Sequence, residues 1–137
     1  MVDILRPQLI ELSQYCQSVC VGINLMTPTI EDGNNFGVEE QQKVVEAFTA
    51  VDNDLQRRQY DLTGYYQSRT DLMAKAVKYP NFEDSWDAII ERDKHFHNYC
   101  RLSLISVFNH YLNLHDLVEK NLKKNQNLRT ASDINMY

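Results

Sequence analysis

Apolar residues recur along this chain at steps of three and four, and the rhythm breaks at only two places. In the first stretch, about 4–27, Leu5, Leu9, Leu12, Cys16, Val19, Ile23 and Met26 form the seam of a bundle helix. Pro7 sits near its start, where a missing N–H is tolerated. A second stretch, about 38–78, carries Val44, Phe48, Val51, Leu55, Leu62, Tyr65 or Tyr66, Leu72 and Ala76. Arg58 and Arg69 occupy two of its seam slots, so polar groups turn inward or towards a neighbour there. Gly64 weakens its middle by roughly 1 kcal/mol relative to alanine without breaking it. The third stretch, about 83–124, has its seam through Trp86, Ile90, His97, Cys100, Leu104, Val107, Tyr111, Leu114 and Val118.

The breaks are marked by the scarce helix breakers. Pro28, Gly33 and Gly37 separate the first two stretches, and Pro80 separates the second from the third. Pro80 also disfavours a helical Tyr79. No strand-like alternation, repeat or low-complexity segment appears. The expected fold is all-α, an elongated up-and-down bundle of three long helices in one domain spanning 1–137. The third helix carries more apolar residues than its seam needs, since Leu102, Ile105, Phe108, Leu112 and Leu117 spread round its circumference. A helix apolar on more than one side is buried on more than one side, so part of this surface should meet another subunit.

Composition narrows the function classes. The 137 residues suffice for one modest core, and 43% apolar with 24% charged is ordinary for a soluble globular chain. A net charge of −5 argues against nucleic acid, whose phosphates want a basic face. No window approaches the roughly 18 uncharged apolar residues of a membrane span. The start, MVDILRPQLIEL, has no basic segment before an apolar run and so does not read as a secretory signal. Three cysteines, two of them one helical turn apart in an apolar pattern, read as reduced buried thiols in a nuclear or cytoplasmic protein.

Candidate chemistry is thin. Asp93, His95, His97 and Cys100 cluster, but only His97 and Cys100 share a face, and a tetrahedral site needs about four converging ligands. No glycine-rich phosphate loop is present. Glu31 and Asp32 are adjacent without a partnered histidine, so acid–base catalysis has little support. Neither a cofactor nor a metal is expected. Lys120, Lys123 and Lys124 complement the dipole at the end of the third helix.

Two segments lie outside the helical pattern and hold the remaining information. The link Pro28-Thr29-Ile30-Glu31-Asp32-Gly33-Asn34-Asn35-Phe36-Gly37 is rich in tight-turn residues, which predicts an ordered loop, and includes two apolar groups that a plain linker does not need. After Asn125 the chain loses periodicity and turns polar, yet it ends in Ile134, Met136 and Tyr137. A tail that docks has reason to finish with apolar groups and a free carboxylate.

The run Ile30-Glu31-Asp32-Gly33-Asn34-Asn35-Phe36-Gly37-Val38 resembles the activation loop of the 11S (REG) proteasome activator family. Further agreement follows in order. Tyr65-Tyr66 precedes Arg69, Lys78-Tyr79-Pro80 precedes Glu83-Asp84, and Leu114-His115-Asp116 precedes Lys120-Asn121. The second and last of these details look closer to the family's gamma type than to its alpha or beta types. The resemblance covers essentially the whole chain, as the portion that follows the family's first helix and variable insert; the family unit is a four-helix bundle. The family's lysine-proline-arginine stretch after the last helix is absent, and Lys123-Lys124-Asn125-Gln126-Asn127 stands there instead.

The resemblance implies a non-enzymatic subunit of a homo-oligomeric ring, a heptamer, that stacks on the 20S proteasome without ATP. It makes Ile30 to Gly37 the gate-opening loop, with Asn34 foremost. The tail residues Ile134, Asn135, Met136 and Tyr137 become the anchor in pockets between proteasome alpha subunits. Nucleus and cytoplasm are the compartments that fit, and neither nucleic acid nor membrane is an expected partner. Two other readings stay open on the residues alone: a helical scaffold or adaptor binding partner helices through the wide apolar stripe, and a metal-dependent enzyme using the His97–Cys100 region.

Overall fold

A computed structural model describes residues 1–26 and 35–134, and the side chains of 1–25 and 38–121. Among the described residues there are three α-helices and no strand. They are α1 (Val2–Met26), α2 (Asn35–Lys78) and α3 (Glu83–Ile134).

Two ends differ from the sequence expectation. Helix α2 takes in Asn35, Phe36 and Gly37, so the end of the glycine- and asparagine-rich link belongs to its first turn. Helix α3 does not stop near Lys124 but continues to Ile134. Loss of apolar periodicity removes a burying face without removing backbone hydrogen bonds, and no proline or glycine stands after Pro80 to stop the helix.

The helices run antiparallel in chain order, as their cross-contacts show. Ser13 of α1 donates to Asp52 of α2, while Cys20 lies against the Val45 carbonyl. Between α2 and α3, Arg58 meets Ser103 and Tyr65 meets Asp93. The link between α1 and α2 and the C-terminal half of α3 therefore share one end of the bundle. The α2–α3 turn forms the other. That turn is short because Pro80 ends α2: the Tyr79 amide still reaches the Lys75 carbonyl at 3.0 Å, and the Phe82 amide closes on the Tyr79 carbonyl at 3.2 Å.

The core sits where all three helices overlap. Leu5, Leu9, Leu12 and Cys16 of α1 pack with Val44, Phe48, Leu55 and Leu62 of α2 and Cys100, Val107 and Leu114 of α3. These are the seam positions that the spacing of three and four marks out. The start of α3 departs from it. Trp86, Ile90 and His97 are exposed, while Ile89 is buried and Phe96 packs against the core. Helix α1 has 25 residues against 44 in α2 and 52 in α3. At that level α3 has only α2 to pack on, so one face turns in and the flank a quarter-turn away stays in water. Further along α3 Leu102, Ile105, Phe108 and Leu112 are exposed as well.

No helix among the described residues is long and apolar enough to cross a membrane. At 1.5 Å per residue α2 is about 66 Å long, so the bundle is a rod. A Cβ added at Gly64 would have no neighbour within 4 Å. Gly64→Ala should therefore stabilise the chain by about 0.5–1 kcal/mol through helix propensity alone, read as a higher urea midpoint at unchanged m.

Candidate functional site

The sequence assigns function to the link and to the tail, and the helices decide where those segments emerge. Ile30, Glu31, Asp32, Gly33 and Asn34 lie outside the described residues, as do Asn135, Met136 and Tyr137. Asn35 to Gly37 open α2 and Ile134 closes α3, in backbone only. What the structure supplies is the frame: a link that must begin at Met26 and return at Asn35, at the same end as the last turns of α3.

A polar cluster between α2 and α3 sets that frame. Arg58, at 18% side-chain exposure, donates to Asp54 at 2.6 Å, to Ser103 at 3.0 Å and to Ser106 at 3.1 Å. Ser103 is fully buried. His110 Nε2 lies 3.1 Å from the same oxygen, Oδ2, that Arg58 contacts, and Arg57 donates to the other oxygen, Oδ1, at 2.6 Å. Burial alone would raise the Asp54 carboxyl. Hydrogen bonds from Arg58 and His110, with the Arg58 charge, more than offset this and hold it below the ordinary 3.8.

A second cluster follows towards the turn. The Tyr65 and Phe96 rings stack at 3.5 Å, and Tyr99 continues the stack beyond Phe96. Tyr65 donates to Asp93 at 2.8 Å, and Arg69 pairs with the same carboxylate at 3.0 Å. Tyr99 donates to Asp61 at 2.8 Å; burial first, and then this carboxylate, push its hydroxyl up to about 12. Asp61, Gly64, Arg92 and His95 border an open cleft of about 280 Å³ beside these rings.

The residues singled out for possible metal chemistry do not converge. Asp93 is engaged by Tyr65 and Arg69, His95 lines the cleft, His97 faces water, and Cys100 is buried in the core. No group of three or more histidine, cysteine or acidic side chains among the described residues is placed to hold a metal ion. Burial raises the Cys100 thiol and, with the Asp52 charge, raises Cys16 to about 11. At neutral pH both stay protonated, a poor state for a nucleophile or ligand. The sequence placed Arg58 and Arg69 on the seam but gave no sign of Ser103 and Ser106, since a serine inside an apolar run looks the same whether it faces a cation or water. The described side chains hold the helices in register, with Met26, Asn35 and the last turns of α3 at one end of the bundle.

The model of the family "Proteasome activator PA28, C-terminal" matches residues 1–134. The chain belongs to the proteasome activator PA28 family. It is 32% identical over 140 residues to proteasome activator complex subunit 3 of Homo sapiens, and equally to that of Gallus gallus. In both, the match takes in 100% of this chain and 55% of the relative. The chain thus spans about half the length of the curated relatives it matches. Its fold matches the crystal structure of the 11S subunit of the Plasmodium falciparum proteasome, PA28, with a TM-score of 0.70 at 27% identity, over 90% of this chain and 62% of that one. The all-α bundle and the 11S family read from the sequence are both established by these findings, and the family is one of proteasome regulators.

The Asp54 cluster gives a pH-dependent test. A carboxyl whose folded value is depressed stabilises the fold above its unfolded value, and that contribution disappears as pH falls through the folded value. Asp54→Asn should cost about 1–3 kcal/mol at pH 7, because the Arg58 guanidinium loses its anionic partner. The gap between parent and variant should close as the pH is taken below about 3.8, as followed by urea unfolding across the pH range.

Proposed function

We propose that this chain is a subunit of an ATP-independent activator that docks on the alpha ring of the 20S proteasome with its tail and opens the gate with its link. The observation that carries this reading is the family match across residues 1–134, taken with a fold that brings the link and the C-terminal end of α3 to one end of the bundle. A gate-opener must engage its partner and displace the gate at the same surface, so both elements have to leave the same end. In sequence, the family's activation-loop pattern, Ile30 to Gly37, runs through the link between α1 and α2 into the start of α2.

In this reading the subunit performs no chemistry. It acts by differential binding, since its loop makes contacts with the open state of the gate that the closed state lacks. Single tails bind weakly, because ordering a free segment offsets part of the contact energy. A ring of copies, seven by family resemblance, engages several tails at once, and effective concentration raises avidity by roughly 10² or more. The exposed flank Leu102, Ile105, Phe108 and Leu112 supports assembly, since a stripe of this kind in a soluble chain marks a surface that is covered. A scaffold that binds partner helices would use the same stripe but would need neither loop nor tail.

Loop and tail make separable predictions. Asn34→Tyr should leave proteasome binding nearly intact but remove stimulation of fluorogenic-peptide hydrolysis, because a bulky ring spoils the tight turn; stimulation equal to the parent's would take the opening role away from the loop. Deleting Met136 and Tyr137 should abolish co-sedimentation with the 20S particle while circular dichroism and light-scattering mass stay unchanged. Binding at parental affinity after that deletion favours the scaffold.

A further inference from the structure

Helix α3 outruns its neighbours at the end where link and tail emerge. Helix α2 begins 23 residues before Arg58, about 35 Å away at 1.5 Å per residue. Counted along α3 from Ser103 and Ser106, which Arg58 contacts, the same distance ends at about 126–129. Helix α1 stops lower still, since Cys20 lies against Val45 and Met26 follows only six residues later. The backbone of α3 stays helical to Ile134, so its last turns stand roughly 8–12 Å beyond the start of α2.

The residue types of this overhang do not favour a helix by themselves. Asn125, Asn127, Thr130, Ser132 and Asp133 are weak helix formers, and the last turn of α3 has no basic residue to complement the dipole. Elongation carries the helix on, because adding residues to a helix already nucleated avoids the cost of a first turn. No proline or glycine after Pro80 interrupts it. A helix extended in this way is finely balanced, and small changes in propensity move the balance.

We propose that the overhang of α3, residues 126–134, is a helical spacer that holds the docking residues Met136 and Tyr137 at a set distance from the bundle, in place of a free tether. The proposal rests on the activator reading, which makes those residues the anchor. A tail free from Asn125 onwards has to be ordered along its whole length on docking, and that loss subtracts from the contact energy. A helix as far as Ile134 has most of that length ordered beforehand. The helicity of the spacer thereby sets the affinity of each tail, and an assembly multiplies the effect over several tails.

The test changes helix propensity within the overhang and leaves Met136 and Tyr137 in place. Ala131→Gly lowers propensity by an amount equivalent to about fivefold per tail, so the affinity of the full chain for the 20S particle should fall about fivefold or more in co-sedimentation. Asn127→Ala combined with Thr130→Ala should raise it about threefold or more. Hydrogen exchange of the amides of 126–134, measured on the full chain without the proteasome, should quicken in the first variant and slow in the second. Equal affinities in all three chains, or tighter binding by Ala131→Gly, would make the tail a free tether and overturn the proposal. A loss of affinity without faster exchange would place Ala131 in the contact itself and count against the spacer too. Amides of 126–134 that exchange at unprotected rates in the parent, with binding to the 20S particle intact, would overturn the spacer and leave the activator reading standing. A parent chain that is protected there but does not sediment with the 20S particle would sink the activator reading, and the role of the spacer with it.

Discussion

A guanidinium on a bundle seam cannot be left alone, and the register of α2 on α3 is the one that accommodates Arg58. The cation is short of water, and an unpaired charge in that position would cost more than any single apolar contact returns. Asp54 one turn back supplies the anion, Ser103 and Ser106 accept from the remaining guanidinium nitrogens, and His110 lies against the carboxylate oxygen that Arg58 contacts. Sliding either helix by a turn would separate Arg58 from both serines. Leucine seams alone tolerate such a slip, because one leucine layer resembles the next. The polar cluster makes one alignment unique, and the levels of the turn, the core and the link follow from it.

The unequal helix lengths then divide the rod into two regimes. Where α1 overlaps its partners, the interior is aliphatic and closed. Towards the turn, beyond the reach of α1, two helices cannot enclose a core, and the interface changes character. Flat stacked rings, a tyrosine on a carboxylate and an arginine pair tie α2 to α3 there. These groups tolerate water at their edges, which aliphatic side chains do not. In the same region Phe82, Trp86 and Ile90 are exposed.

In the proposed function the working parts lie at the ends of the rod rather than in a cleft along it. The frame between them carries no activated nucleophile among the described residues: the buried thiols are held protonated and Asp54, Asp61 and Asp93 are each engaged by hydrogen-bond donors. A stiff frame suits a protein that positions a loop and a tail against a partner, since the precision of both is inherited from the helices that carry them.

Much of this was determined by the sequence alone. The spacing of Leu5, Leu9, Leu12 and Cys16, and of Val44, Phe48, Leu55 and Leu62, requires helices with one buried stripe, because only a 3.6-residue period puts those side chains on one face. The family was legible in the run from Ile30 to Val38, whose residue types are too particular to arise from helix packing. Other features were decided only in three dimensions. Steps of three and four fit either of two neighbouring stripes at the start of α3, and the placement of α2 chose Ile89 and Phe96 over Ile90 and His97. That α3 runs on to Ile134 was not visible in the hydrophobic pattern, because a helix persists where nothing breaks it, whether or not it has a face to bury. The partners of Arg58 were hidden for a related reason: they lie 45 and 48 residues away, and hydrogen bonds between helices leave no periodic trace.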